Sequence, residues 1–396
     1  MILPDNNKVT TNKYSYKVSN NGTYTFKTYS KKGNVKESSI KVSNIDKITP
    51  NGSCSGNYKD GISTINVNAS DNIGIDRYVI NGKSYTSGNI TINNELKTAN
   101  ITIYDKAGNS KDISCEIKKE NKKLEIHFIA SGAYDDAILI RTDNKTILID
   151  GGQWYCRKYV TPYLKTLGIT KIDAMIGSHL HFNHIQTQAD ILENFNVENI
   201  YYPDDIFTCA TRKSCNTTDQ QYILSEIKEK NITPKIAKPG NKVTIGEIEL
   251  YFIGPENIIT GDGYPQNYNS SIMILKFYNN TFMFTGDAGN STLDINNLQK
   301  HANNLGINLN VDLLKYPHHG NATLKDNFLN TINTNYTIIP NYKAPHFPTT
   351  DNINKLKSHN IKMYRQSDSS TGNILVTSDG NNINIINNVK AEDYKR

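Results

Sequence analysis

Ser178-His179-Leu180-His181-Phe182-Asn183-His184 places three imidazoles within six positions. The run before it, Ile172-Asp173-Ala174-Met175-Ile176-Gly177, is mostly apolar and reads as a short strand. Packing alone does not explain a strand that empties into a histidine-crowded loop. Neutral imidazole is the commonest side-chain metal ligand at neutral pH. His-x-His with a further His three positions on can converge on one or two divalent ions. The bland alternative, a polar loop that binds nothing, suits one histidine better than three.

Other chemistry-bearing residues recur where apolar runs end. Lys145–Asp150 ends in Asp150-Gly151-Gly152. Ser271–Thr285 reads as a hairpin, with its turn at Asn279-Asn280, and runs into Gly286-Asp287-Ala288. Val311–Tyr316 leads into Pro317-His318-His319-Gly320. Loops at strand ends can gather such residues on one edge of a sheet. Each signal alone is weak, since Gly-Asp is often only a turn and His-His-Gly often a surface loop. Together they describe a metal site. Between these segments lie helical patterns at about 156–167, 185–194, 219–230, 291–302 and 351–358. The helix near 219 has Asp219 or Thr218 as its cap. Further strands are expected at Leu124–Ala130, Asp136–Thr142, Val197–Tyr202, Tyr336–Pro340, Ile374–Thr377 and Ile383–Ile386, with a strand hairpin also at Lys242–Ile253. Two β-rich halves, each closed by helices, predict an α+β, four-layer αβ/βα sandwich.

In that order, strand-Asp-Gly-Gly, Ser-His-x-His-x-x-His, strand-Thr-Gly-Asp and strand-x-Pro-His-His-Gly resemble the metallo-β-lactamase-fold hydrolases, and within them the ComEC-type branch. Asn269-Ser270-Ser271-Ile272, Lys315-Tyr316-Pro317-His318-His319-Gly320, Asn341-Tyr342 with Pro345-His346, Thr371-Gly372-Asn373-Ile374 and Ser378-Asp379-Gly380 extend the likeness over 124–388. Ile126-His127-Phe128-Ile129, with Asp136-Ala137-Ile138-Leu139-Ile140, is also similar to secreted phosphorylcholine esterases. The resemblance implies that His179 and His181 ligate a first metal and His184 a second, with Asp287 bridging. His318 or His319 completes the second site, the strand-end His318 being slightly favoured, and Asn183, Asp287 and His319 are the candidate catalytic residues. Asp150 is the expected acceptor behind the His loop, and Asn269 stands where many relatives carry a further His. Zinc is the expected ion, manganese the alternative, with one or two bound. The implied chemistry is metal-assisted hydrolysis. Asn183 departs from the pattern, because the family has a metal-ligating Asp there. An amide offers a neutral oxygen and cannot take up a proton as a carboxylate does. This leaves an inactive domain, a weakened or one-metal hydrolase, or an introduced substitution.

The 396 residues allow two or three domains. Residues 1–120 read as short alternating strands separated by turns, expected as a partial immunoglobulin-like module at 1–45 and a β-sandwich module at 46–120. Tyr29-Ser30-Lys31-Lys32-Gly33-Asn34 recurs as Tyr104-Asp105-Lys106-Ala107-Gly108-Asn109. The second copy resembles the bacterial immunoglobulin-like modules of Gram-positive surface proteins, whose strand ends in Asp-x-x-Gly-Asn. Residues before the first copy are too few for a sandwich, so either a longer parent protein or a partial module docked on the second is expected. Cys54 with Cys115, and Cys209 with Cys215, are expected disulfides, which point to an oxidising compartment; Cys156 is left over. There is no apolar run long enough to cross a membrane. The opening MILPDNNKVT lacks the basic and apolar regions of a leader, so export needs one outside these residues.

The net charge of +6 is unevenly placed. Residues 1–123 hold 19 Lys and Arg against 11 Asp and Glu, which leaves 25 against 27 beyond them. A histidine-bearing domain without cationic surplus is a poor grip for a polyanion. The resemblance implies a phosphoester substrate, and the charge makes a small-molecule or cell-wall phosphoester only slightly more attractive than nucleic acid. The chain is expected outside the cell or on its surface, with the N-terminal modules on the cell surface. The competing expectation is an inactive domain serving surface binding or adhesion.

Overall fold

The computed structural model describes the chain except residues 12, 60, 120–122, 133, 204–216, 259–264, 291 and 396. Cys209 and Cys215 lie outside the described residues, as do the side chains at the expected cap near Asp219. The chain divides into two compact units, Met1–Asn121 and Lys122–Arg396.

The first unit is all β. Gly22–Tyr29 and Val35–Val42 pair as an antiparallel hairpin. A seven-stranded sheet follows in the order Lys83–Tyr85, Ile75–Ile80, Thr98–Asp105, Ser110–Lys119, Asn51–Lys59, Ile62–Ser70, Asn89–Ile92. Thr98–Asp105 alternates between exposed and buried positions, and Ile65, Ile80, Ile90, Ile101 and Ile103 form the core. The Cys54–Cys115 disulfide ties Asn51–Lys59 to Ser110–Lys119. Within residues 1–45, Val35–Val42 buries none of its side chains fully. The sequence repeat is a repeated turn. Asp105 N donates to Asn109 O and Gly108 N to Asp105 O, as Ser30 N does to Asn34 O and Gly33 N to Ser30 O. Gly108 and Gly33 take φ of 93° and 84°, a region costly for other residues.

The second unit is the four-layer sandwich. Its first sheet runs Lys235–Ile236, Ile200–Tyr202, Ala174–Ile176, Thr146–Asp150, Ala137–Arg141, Leu124–Phe128, Ile374–Ser378, Ile383–Asn387. The second runs Lys242–Ile245, Ile248–Gly254, Ile272–Phe277, Asn280–Phe284, Leu313–Lys315, Tyr336–Ile339, Lys362–Arg365. Leu124–Phe128 and Ala137–Arg141 are buried at every position, as expected for strands covered on both faces. Ile126, Ile138, Ile147 and Ile149 face Phe252, Met273, Phe282 and Leu313 between the sheets. On the outer faces, Leu139, Leu148 and Met175 pack on Val160, Leu164 and Leu192, while Ile274, Met283 and Leu314 pack on Leu298, Phe328 and Leu356.

Several boundaries differ from the sequence expectation. The second hairpin turns at Tyr278-Asn279, with Tyr278 at φ 54° and Asn280 already in the strand. Asn280 is held there because its side chain bonds Asp312 and Asn381. The expected strand Val197–Tyr202 is two, Asn196–Val197 and Ile200–Tyr202, which join different sheets. The helix expected from 185 begins earlier, at Phe182–Ile185, and continues as Thr187–Asn194.

Candidate metal centre

Parallel pairing puts the site on one edge. Thr146–Asp150 runs parallel to Ala174–Ile176, and Asn280–Phe284 parallel to Leu313–Lys315 and Tyr336–Ile339. Their C-terminal ends deliver Asp150, the His loop, Asp287, His318-His319 and Asn341.

Asp150 ends its strand at φ 58°, outside the strand conformation. Its carboxylate accepts from Ser178 N and Ser178 Oγ, each at 2.7 Å, and lies 2.8 Å from His184 Nδ1. Gly151 and Gly152 complete the clamp by donating both amides to His184 O. Since the Ser178 hydroxyl proton goes to Asp150, Ser178 Oγ accepts from His179 Nδ1 at 3.1 Å. His319 Nδ1 donates to Pro340 O at 3.1 Å. In each ring the Nδ1 proton is held outward and Nε2 is offered inward.

These nitrogens converge on Asp287. His184 Nε2 is 3.3 Å and His179 Nε2 3.9 Å from Asp287 Oδ2, and His319 Nε2 is 3.4 Å from Oδ1. His179 Nε2 also faces His181 Nδ1 at 3.1 Å, a spacing that requires a shared proton or a shared cation. His179, His184 and Asp287 form one triad of ligand atoms within 4.8 Å, and Asp136, Asp287 and His319 form another. His184 Nε2, His319 Nε2 and Asp287 Oδ1 are buried and make no hydrogen bond. Orphaned polar atoms of this kind call for a partner of their own, and imidazole nitrogens around a carboxylate are the donor set a zinc-type ion takes. The residues present therefore fit the metal that the fold implies.

The electrostatics agree. Burial disfavours charge on His184, yet Asp287 and Asp150 outweigh it and hold the imidazole well above the ordinary histidine range. Burial likewise opposes charge on His319, but Asp287 and Asp136 raise it to about 9. His181 is depressed to about 4 by burial and by His184, and His179 well below normal for the same reasons. Asp287 stays ionised despite burial because His319 and His184 flank it. The carboxylates thus favour positive charge at His184 and His319, whereas burial and His184 disfavour it at His179 and His181.

His318 and His319 part company. Both take left-handed φ, 50° and 53°, and the double turn carries His319 under the sheet edge. His319 is 1% exposed and His318 36%, with His318 Nε2 3.8 Å from Asp287 Oδ2. Asn269 is buried beside Ser270, whose hydroxyl accepts from Asp287 N. Asn183 donates its Nδ2 to Tyr134 O at 2.5 Å.

Two further residues belong to the centre. Asp136 and Lys315, each 1% exposed, form a short ion pair. Lys315 Nζ also donates to Gly286 O at 2.7 Å and lies 3.9 Å from Asp287 Oδ1. Asp136 Oδ1 is 3.4 Å from His319 Nδ1. Lys315 and His319 hold the Asp136 carboxyl at about 2 against the effect of burial. The pair braces the Gly286-Asp287 turn and His319 at once.

Residues 134–326 match the family model of the metallo-beta-lactamase superfamily. Over 217 residues the chain is 21% identical to ComE operon protein 3 of Bacillus subtilis (strain 168), a stretch covering 54% of this chain and 26% of that protein. The chain thus spans about a quarter of that relative's length. Among solved structures, the metallo-beta-lactamase fold protein YhfI from Bacillus subtilis aligns at 15% identity and a TM-score of 0.38, covering 61% of this chain and 95% of that one. A diphosphatase of the PhnP family aligns at 11% identity and 0.35, covering 61% and 94%.

Proposed function

Residues 134–326 form a domain of the metallo-beta-lactamase superfamily, and from that premise we propose that the chain is a metal-dependent phosphoester hydrolase acting outside the cell or at its surface. The observation that carries the reading is the set of inward imidazole nitrogens around Asp287, with their outer nitrogens tied to Ser178, Asp150 and Pro340. His179, His181, His184, His319 and Asp287 would hold the ion, zinc first and manganese second. When bound, such an ion acidifies a water and neutralises charge on a phosphoryl oxygen. The chain's own part is orientation. Asp150 locks the rings of the His loop, Lys315 and Asp136 brace Asp287 and His319, and His318 faces the opening.

The N-terminal unit would serve as an immunoglobulin-like spacer on the cell surface, in keeping with its share of the positive charge. The disulfide between Cys54 and Cys115 favours an oxidising compartment. One observation favours a second reading, an inactive binding domain: Asn183 uses its amide as a donor where the family pattern has a carboxylate.

The test is elemental analysis of the purified chain, together with turnover of bis-p-nitrophenyl phosphate. The hydrolase reading expects bound metal, and turnover lost with chelator and in His181→Ala. Metal absent from both the wild type and Asn183→Asp, with no turnover by either, would sink it in favour of the binding domain.

A further inference from the structure

One amide in the His loop makes a contact that a carboxylate could not. Asn183 Nδ2 donates to the backbone oxygen of Tyr134. An aspartate there would set two oxygens against each other with no proton between them. Tyr134 reaches the opposite side of the opening, where its phenol oxygen lies 2.8 Å from His346 Nε2. Its ring stands edge-on to buried His319 at 6.3 Å and against Phe347 at 6.2 Å. Tyr134 is 40% exposed, and the His319 beside its ring is 1% exposed. Tyr134 therefore joins the His loop to the loop after Tyr336–Ile339, across the metal centre. A second, independent observation concerns charge. Beyond residue 123 there are 25 Lys and Arg against 27 Asp and Glu, so no cationic surplus offsets the cost of threading a polyanion past this crossing.

We propose that Asn183 is a positioning residue that straps Tyr134 across the centre, and that the Asn183–Tyr134–His346 strap restricts the site to small, non-polymeric phosphoesters. The proposal rests on the phosphoester-hydrolase reading above. A compact ester enters beside the Tyr134 ring. An extended phosphodiester backbone must cross the line between the two loops, which the strap occupies. Releasing the strap widens the opening without removing any of the inward imidazoles.

The test uses the full zinc-loaded chain, with Asn183→Ala, Asn183→Asp and Tyr134→Phe beside the wild type. Hydrogen exchange of the 134–137 amides is read by mass spectrometry, and kcat and KM are measured for bis-p-nitrophenyl phosphate and for a ten-nucleotide oligothymidylate. The strap predicts exchange at least tenfold faster in Asn183→Ala and Asn183→Asp. It also predicts that Asn183→Ala raises kcat/KM for the oligonucleotide, relative to the small diester, at least tenfold through KM. Tyr134→Phe, which keeps the backbone acceptor but loses His346, shifts the same ratio less. A wild type that cleaves the oligonucleotide as readily as the small diester overturns the restriction. Unchanged exchange in Asn183→Ala overturns the strap. If neither the wild type nor Asn183→Asp turns over any ester, the hydrolase reading falls and takes the substrate claim with it, while exchange still decides the strap.

Discussion

Lys315→Met is the sharpest test of how the centre is held. The side chain is 1% exposed, pairs with an equally buried Asp136 and donates to Gly286 O. Removing the ammonium leaves the Asp136 carboxylate in the interior without its cation. Breaking a buried pair from one side costs roughly 3–5 kcal/mol. The orphaned Gly286 carbonyl belongs to the same network, so its loss is not simply added. For a unit of this size each kcal/mol moves the midpoint by about 2 °C or slightly less, so a fall of about 5–9 °C is expected. The assay is thermal unfolding of the chelator-treated full chain, followed by Trp154 fluorescence. Trp154 is the single tryptophan and sits in the second unit, so the N-terminal unit does not blur the transition. Asp136→Asn in the Lys315→Met background removes the stranded charge and should recover a large part of the loss. A single-variant cost below about 1 kcal/mol, or a double variant that costs the sum of the two singles, would refute the bracing role.

Four further outcomes are expected. Gly177→Ala places a Cβ 2.3 Å from the ring of buried Tyr202; overpacking of this kind costs about 1–3 kcal/mol, and zinc affinity measured by competition with a chromophoric chelator should fall with it, whereas unchanged affinity would separate the Tyr202 packing from the His loop. Zinc added to the stripped chain should raise the Trp154 midpoint in proportion to the logarithm of free zinc once the site saturates, and a midpoint indifferent to zinc would leave the inward imidazoles without a ligand. Reducing Cys54–Cys115 opens a loop with a sequence separation of 61, worth about 4 kcal/mol by chain entropy; near-UV dichroism of the tyrosines should report it while the Trp154 transition stays in place. Burial opposes ionisation of Asp173, but the Thr146 amide and the Lys145 and Lys171 ammonium groups hold its carboxyl below the usual range. That contribution is present above the ordinary aspartate pKa and fades as pH falls through the lowered folded value, so Asp173→Asn should flatten the acid limb of a midpoint-against-pH curve, and an acid limb of unaltered slope would count against it.

The histidine loop, Asp150, Asp287 and the His-His pair were legible because each ends an apolar run, and parallel strands bring such ends to one edge. The four-layer architecture followed from the same runs. Asp136 and Lys315 were not legible in this way. Each flanks or ends a short apolar strand, where a charge ordinarily marks the return to solvent. Only the packing of one sheet on the other turns the two inward toward each other, a pairing of residues 179 positions apart. The lysine in Val311-Asp312-Leu313-Leu314-Lys315-Tyr316 was the available signal, since a cation that interrupts a buried run needs a buried partner. The relation of His318 to His319 turned on backbone conformation. Proximity to the strand end favours the first, but with both residues in left-handed backbone it is His319 that is buried against Asp287, at 3.4 Å, while His318 is 36% exposed.

The strand Ile374–Ser378 has a consequence for how the molecule is made. It lies between Leu124–Phe128 and Ile383–Asn387, and its register sets Leu124 opposite Ser378. Leu124–Phe128 therefore waits for one neighbour until some 250 residues later in synthesis, roughly 12–50 s at ordinary ribosomal speeds. During that interval an apolar strand presents an open edge of unpaired amides and carbonyls, the surface on which chains associate wrongly. The late closure makes this a slow, non-local folding step. Chains interrupted before Ile374 should accumulate as aggregates even though every residue of the metal centre has already been synthesised.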